Sequence, residues 1–149
     1  MAELLHFEDF TIGRAFACGP YEVTKAEILE FAREFDPQPH HLDEEAAKNS
    51  MLGGLSASGW HVCAIAMRMF ADHMISRAAG RGGLGSREVR WMKPVRPGDV
   101  LRMDVEVVDA KPSQSRPVGF VTFECRLFNQ TEQVALISMT PIIAKRGAT

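Results

Sequence analysis

One long apolar segment, residues 58–79, constrains the fold of this chain more than any other feature. Its first turns place apolar residues on nearly every side of a helix, and polar residues such as Arg68, His73 and Arg77 come later. A helix that is apolar on most faces is stable only when other elements cover those faces. The rest of the chain must therefore supply a layer that wraps around this helix.

The covering layer is predicted by alternating apolar and polar residues in the C-terminal half of the chain. We expect strands at residues 84–95, 100–110, 120–128 and 134–144, the last broken by Pro141. A first strand at residues 14–23 is interrupted by Gly19-Pro20. Short turns separate the last four strands, which favours an antiparallel sheet. The expected fold class is α+β, with a curved antiparallel sheet wrapped around a long central apolar helix.

A capped helix is predicted between the first strand and the apolar helix. Thr24 and Glu27 have the spacing of a capping box, in which each side chain bonds the backbone of the other. The helix should end at Asp36, because the residue before a proline is pushed out of the helical region. Residues 36–42 are expected to form a short loop, and Asp43 to be the N-cap of a second, short helix.

Size and charge limit what the protein can do. With 149 residues, of which 46% are hydrophobic, the chain fits a single domain over residues 1–149. A net charge of −2 argues against nucleic acid or an anionic membrane as a partner. We expect neither a bilayer-spanning segment nor a signal peptide. Cys18, Cys63 and Cys125 are far apart and typical of free thiols in a reducing compartment, so a cytoplasmic location is expected.

Asp36 and His41 are the candidate catalytic residues. They lie five positions apart, and Pro37 and Pro39 stiffen the chain between them. A rigid loop that holds a carboxylate beside an imidazole suits general acid–base chemistry, in which both groups bind one water molecule in fixed geometry. Taken singly, Asp36 is more often a residue that ends a helix and caps a turn before proline, and His41 more often a packed or surface histidine.

Ser58 and Gly59 begin the long apolar helix. Backbone amides at a helix start have no intrahelical partner and carry partial positive charge. A glycine lets a ligand approach the backbone closely, so the Gly59 amide could polarise a carbonyl oxygen. The alternatives are that Gly59 serves helix–sheet packing and that Ser58 caps the helix, or contacts a substrate or Asp36. Trp60 and His61 are interpreted as packing or pocket-wall residues.

Three motifs resemble the MaoC-like dehydratases, also called (R)-specific enoyl-CoA hydratases. They are Asp-Pro-Gln-Pro-His-His-Leu-Asp at residues 36–43, Ala-Ser-Gly-Trp at 57–60, and Trp-Met-Lys-Pro-Val-Arg-Pro-Gly-Asp at 91–99. The resemblance covers residues 24–107. It implies a hot-dog fold and a homodimer, or a higher oligomer. It also implies syn hydration of a 2-enoyl-CoA, or the reverse dehydration, without cofactor or metal.

The same resemblance assigns roles to residues of this chain. Asp36 and His41 would hold the attacking water, and the Gly59 amide would hold the thioester oxygen. Gln38 and Ser58 stand where the family usually has Asn and His, and His40 replaces an apolar residue. We therefore count Gln38, Ser58 and Trp60 with Gly59 as candidate substrate-binding residues, while the substrate class stays open.

Other functions remain open at this stage. A hot-dog thioesterase would use a carboxylate to direct water at the thioester carbonyl, and a non-catalytic domain would only bind acyl-CoA. His40, His41 and Asp43 do not predict a metal site, because adjacent side chains rarely point at one ion. Arg87, Arg90, Lys93 and Arg96 are interpreted as solvated charges, with contact to CoA phosphates as the alternative.

Overall fold

The computed structural model describes residues 2–148, which form one curved sheet and four helices. The strands are β1 (Ala15–Glu22), β2 (Gly80–Gly83), β3 (Val89–Trp91), β4 (Val100–Pro112), β5 (Val118–Phe128), β6 (Gln133–Met139) and β7 (Pro141–Ala144). The helices are α1 (Lys25–Phe35), α2 (Pro39–Leu42), α3 (Glu44–Lys48) and α4 (Gly59–His73), with single 3-10 turns at Phe7–Asp9 and Ile75–Arg77.

The named strands pair only antiparallel, in the order β1-β4-β5-β6-β3. Past β6 the chain bends into β7, which pairs with β5 on one side and with β2 on the other. β3 and β2 therefore form one edge of the sheet together, and β1 forms the opposite edge. The predicted α+β architecture is confirmed.

The core lies between α4 and the inner face of the sheet. The alternation predicted for β4 is confirmed, since its inward residues Leu101, Met103, Val105 and Val107 are at most 1% exposed. At the centre, the Phe123 ring packs edge-on against Phe10 at 5.6 Å and against Phe70 of α4 at 5.2 Å. The helix that is apolar on most sides is thus covered as its sequence requires.

The predicted end of the long helix was wrong. α4 ends at His73 rather than near Ala79, because the next residue leaves the helical region with φ −134° and ψ −59°. Ala79 then enters an extended backbone: its N–H donates to the Leu5 carbonyl at 2.8 Å, and its carbonyl accepts from the Ala144 N–H at 2.8 Å. Backbone hydrogen bonds to distant parts of the chain therefore place the following residues, Gly80–Gly83, in a strand.

One predicted strand was also too long, while the predicted break of the last strand at Pro141 is confirmed. In the segment 84–95 only Val89–Trp91 pairs as a strand. Just before it, the Ser138 hydroxyl accepts from the amides of Arg87 at 2.7 Å and Glu88 at 2.9 Å, which takes these groups out of a regular ladder. The segment 134–144 splits into β6 and β7 at Pro141.

The local signals around α1 are confirmed. Thr24 Oγ1 accepts from the Glu27 amide at 3.2 Å, and the Thr24 amide donates to Glu27 Oε1 at 3.3 Å. α1 ends at Phe35, so Asp36 follows its last residue. The expected loop 36–42 contains one helical turn, α2, because Pro39 suits the first helical position. Asp43 caps α3, as predicted.

The helices of residues 2–148 are all too short or too polar to cross a membrane. The three cysteines are free thiols: Cys18 and Cys125 are buried, and Cys63 is half-buried.

Candidate active site

The fold brings Asp36 and His41 together. Asp36 follows α1, His41 lies in α2, and His41 Nε2 is 3.6 Å from Asp36 Oδ2. Their side chains are 16% and 8% exposed, respectively. The separation is too long for a good direct hydrogen bond, but it allows both atoms to bind the same water molecule.

The orientation of His41 is fixed from behind the site. His41 Nδ1 is 2.8 Å from the carbonyl oxygen of Ser56. A carbonyl oxygen only accepts hydrogen bonds, so Nδ1 carries the proton and donates. In the neutral ring, Nε2 is then the basic nitrogen, and it faces Asp36.

Both oxygens of the Asp36 carboxylate accept a hydrogen bond. Gln38 Nε2 donates to Oδ1 at 2.6 Å, and Ser58 Oγ donates to Oδ2 at 2.6 Å. Burial acts to raise the pKa of Asp36, but the hydrogen bonds from Ser58 and Gln38, with the nearby histidines, hold that pKa below its ordinary value. Asp36 is therefore a stable carboxylate at neutral pH.

Ser58 occupies the N-cap position of α4 without capping it. Its side chain makes no cap hydrogen bond; it is fully buried and donates to Asp36 instead. Of the readings left open by the sequence, contact with Asp36 is the one that the structure bears out. Gln38 is exposed, and it too acts on Asp36.

Gly59 is the first residue of α4, where its amide lacks an intrahelical acceptor. The ring of Trp91 lies directly against this glycine: a Cβ atom on Gly59 would be 2.4 Å from Trp91 Cε2. Packing therefore requires a glycine here. The contact of the Gly59 amide with a thioester oxygen stays a prediction beside that packing role.

A cavity of about 200 Å³ opens beside His41 and Gly59. Its walls are apolar, from Leu52, Val62, Val95 and Val134, and its rim carries Trp91, Met92 and Lys93. An apolar cavity with a few polar groups at one end is typical of a small-molecule site.

Trp60 does not line this cavity. Its side chain is 60% exposed and packs edge-on against Trp91, with ring centroids 5.2 Å apart. No contact with the cavity supports the predicted role of Trp60 in substrate binding. Trp91, by contrast, lines the cavity. The spacing of Trp91 from the other motifs gives no hint of this, since the contact depends on how β3 crosses α4.

Sequence reasoning also missed Arg96. This residue is half-buried, and its guanidinium donates to the carbonyl oxygens of Gly54 at 2.7 Å and Leu55 at 3.3 Å, and to that of Leu52. The available signal was the irregular loop before α4, whose carbonyl groups have no regular ladder partners and need donors from elsewhere. By contrast, Arg87 and Arg90 form exposed ion pairs with Asp109 and Glu88.

The residues that the structure describes contain no group of three or more His, Cys, Asp or Glu side chains able to hold a metal ion.

The family of this chain is shown by its similarity to known proteins. Residues 9–124 match the family model of the MaoC-like domain. A MaoC-like dehydratase from Rhodospirillum rubrum is 42% identical, with a TM-score of 0.89 over 95% of this chain and 98% of that one. A monoamine oxidase regulatory protein from Archaeoglobus is 29% identical, with a TM-score of 0.88 over 97% of both chains.

A third structure, the (R)-hydratase PhaJ1 from Pseudomonas aeruginosa, shares the fold. It is 24% identical, with a TM-score of 0.73 over 94% of this chain and 85% of that one. The family model covers most of the chain, and the relatives match along nearly their whole length. This chain therefore belongs to the family of MaoC-like dehydratase domains and has their hot-dog fold.

Proposed function

We propose that the protein is a hydro-lyase that adds water to a 2-enoyl-CoA thioester, or removes it from the 3-hydroxyacyl-CoA. The observation that carries this proposal is the 3.6 Å approach of His41 Nε2 to Asp36 Oδ2. It lies beside an apolar cavity with an unpaired helix-start amide at its edge. The family assignment supports a hydratase or dehydratase, and this geometry supports the roles below.

His41 is the proton carrier in this proposal. Water bound between Nε2 and Asp36 loses a proton to Nε2 as its oxygen bonds to C3 of the enoyl group. The electrons of the C2–C3 double bond move towards the thioester, whose oxygen becomes negative and accepts from the Gly59 amide. The imidazolium of His41 then returns the proton to C2, so one water molecule has been added to one face.

Asp36 stays ionised throughout this sequence. Its pKa lies below the ordinary value because Ser58 and Gln38 donate to it, although burial opposes them. An aspartate held in this way accepts a hydrogen bond from the attacking water and stabilises the imidazolium, but it is poorly suited to carry the proton. Under this division of roles, both residues are required.

The test is a panel of enoyl-CoA and saturated acyl-CoA thioesters with the purified protein. Loss of the conjugated enoyl-thioester absorbance indicates hydration. Release of free thiol from saturated thioesters would instead indicate a thioesterase, and binding without turnover a non-catalytic domain. Either of those results would overturn the proposal.

Two variants test the residue roles. We expect Asp36→Asn and His41→Ala each to lower kcat by about 10²–10⁴-fold, the range for general acid–base groups. Asp72→Asn and His73→Ala make the same changes on exposed residues of α4 and serve as controls. Near wild-type rates in either site variant would show that the assignment is wrong.

We further propose a homodimer. The sheet edge formed by β2 and β3 pairs on one side only, and every residue of β2 is exposed. Beside it lies an open, mainly apolar groove of about 690 Å³, with Met67, Ile75 and Leu84 on its walls. Unpaired edges and apolar grooves are commonly covered by a symmetric partner. Light scattering that shows a monomer at micromolar concentration would contradict this.

A further inference from the structure

The loop between α3 and α4 depends on one distant side chain for its shape. Within the stretch 52–55, three carbonyl groups accept from the guanidinium of Arg96, across as many as 44 positions of sequence. On the far side of this loop, the Ala57 amide donates to the carbonyl of Val95 at 2.8 Å. Val95 and Arg96 therefore hydrogen-bond to the loop on both sides of Ser56.

The next carbonyl along this loop belongs to the active site. Ser56, which directly follows the last residue held by Arg96, is 2% exposed and accepts the hydrogen bond of His41 Nδ1 at 2.8 Å. Two residues later, Ser58 donates to Asp36 at 2.6 Å. A displacement of Arg96 would therefore move Ser56 and Ser58, and with them the hydrogen bonds that orient His41 and Asp36.

Arg96 is itself firmly placed. Its amide donates to Asp99 Oδ2 at 2.9 Å, and the other oxygen of Asp99 accepts from Gln130 at 3.2 Å. Of the ion pairs among residues 2–148, none involves the Arg96 guanidinium, so its donors serve the loop carbonyls. The guanidinium holds five N–H donors in a rigid plane, which fixes the carbonyl groups in one geometry, whereas a lysine ammonium has three freely rotating donors on a single nitrogen.

We propose that Arg96 is a positioning residue for the catalytic pair. Through the loop 52–56 it fixes the Ser56 carbonyl, and with it the tautomer and orientation of His41. This proposal rests on the proposed function for its kinetic part only. It also predicts a property of His41 that exists without substrate: a persistent proton on Nδ1.

The test uses Arg96→Met and Arg96→Lys, with Arg87→Met and Arg87→Lys as matched controls. Arg87 is an exposed arginine that pairs with Asp109. We expect Arg96→Met to lower kcat by about ten- to a hundredfold, the scale for a displaced catalytic group, with a much smaller change in KM. Arg96→Lys should lower kcat less than Arg96→Met and should not restore the wild-type value, and the Arg87 variants should match the wild type.

Nitrogen-15 NMR of the histidine side chains supplies the second readout. In the wild type and both Arg87 variants, His41 should show a protonated Nδ1, and in Arg96→Met a mixture of tautomers. If Arg96→Met does not fold, as judged by circular dichroism, Arg96→Lys carries both measurements. A folded Arg96 variant with wild-type kcat and an unchanged His41 spectrum overturns the proposal.

These two readouts separate this proposal from the proposed function. A wild-type protein without hydratase activity refutes the function. The NMR comparison then still decides whether Arg96 positions His41.

Discussion

At the scale of single residues, the Asp36 carboxylate is fixed by hydrogen bonds on both of its oxygens. Each of its oxygens accepts a hydrogen bond of 2.6 Å, one from Gln38 and one from Ser58. These donors are two of the three residues that depart from the usual family pattern, the third being His40. Both departures therefore converge on one carboxylate, where they favour its ionised form.

Ser58→Ala should move the acid limb of the pH–rate profile to higher pH. Without the hydroxyl donor the carboxylate of Asp36 is less stabilised, so its pKa rises and the ionised form is lost earlier on acidification. A hydrogen bond to a charged group contributes about 1.5–3 kcal/mol, so kcat/KM at low pH should fall by about tenfold or more. Ser76→Ala removes an exposed serine hydroxyl and is the control. An acid limb that stays in place in Ser58→Ala would refute this role.

His61 should make the folded state sensitive to acid. Its ring stacks on Phe31 at 4.7 Å, and its buried Nδ1 has no hydrogen-bond partner among the described residues. Burial lowers the pKa of His61 below 6.5, although the charge of Glu27 opposes this. Above pH 6.5 the ring is neutral in both states; as pH falls below that value the unfolded state binds the proton first, and stability is lost.

The measurement is urea unfolding at pH 7.5 and pH 5.5. Wild type should lose more stability between these two conditions than His61→Phe, which cannot take up a proton. His73→Phe, at the exposed end of α4, should behave as the wild type does. Equal losses in wild type and His61→Phe would mean that His61 is not the responsible group.

At the scale of elements, the contact between α4 and β3 builds the mouth of the cavity. Trp91 of β3 packs directly on Gly59 and edge-on against Trp60. The start of the helix and the indole of Trp91 therefore line the cavity side by side. Helix start and edge strand form one unit of the site.

Gly59→Ala should displace Trp91, because the added Cβ would lie 2.4 Å from the indole. Overpacking of this kind typically costs about 1–3 kcal/mol of unfolding free energy. Gly80→Ala, where a Cβ meets no atom within 4 Å, is the matched control. In a Trp91→Leu background the same Gly59→Ala change should cost much less, and a fully additive double mutant would contradict the contact.

The elements also show how far sequence reasoning reaches. The start and end of α1 follow from local side chain–backbone bonds and one proline, and the strand alternation follows from burial on one face, so both were predictable. The end of α4 and the short strands β2 and β3 depend on partners far along the chain, such as Leu5 and Ser138, which no local pattern reveals. The same holds within the site: Asp36 and His41 share a short motif, whereas Arg96 acts over 42 positions on Gly54.

At the scale of the whole molecule, one aromatic cluster joins the helix to the sheet and to the N-terminal segment. Phe123 of β5 contacts both Phe70 of α4 and Phe10. All three rings are at most 2% exposed. The cluster therefore couples the three parts of the fold that surround the core.

Phe123→Ala should destabilise the protein by about 3–5 kcal/mol, the usual cost of removing a buried phenylalanine. The same deletion in Phe35→Ala, where the side chain is 67% exposed, should cost far less. Denaturant unfolding monitored by circular dichroism measures both changes. Similar losses in the two variants would contradict a central role for Phe123.

The proposed catalytic pair, the loop that hydrogen-bonds to it and the arginine bound to that loop come from three parts of the chain: residues 36–41, 52–58 and 96. Contacts between them span 15, 22 and 42 positions, and β4 leaves directly from the last stretch. We therefore expect the proposed activity to require the assembled sheet and helix. During refolding from denaturant, enzyme activity should return together with the slowest signal of tertiary structure, and not with the early recovery of helix content. The recovery of activity would then measure when the whole fold is complete.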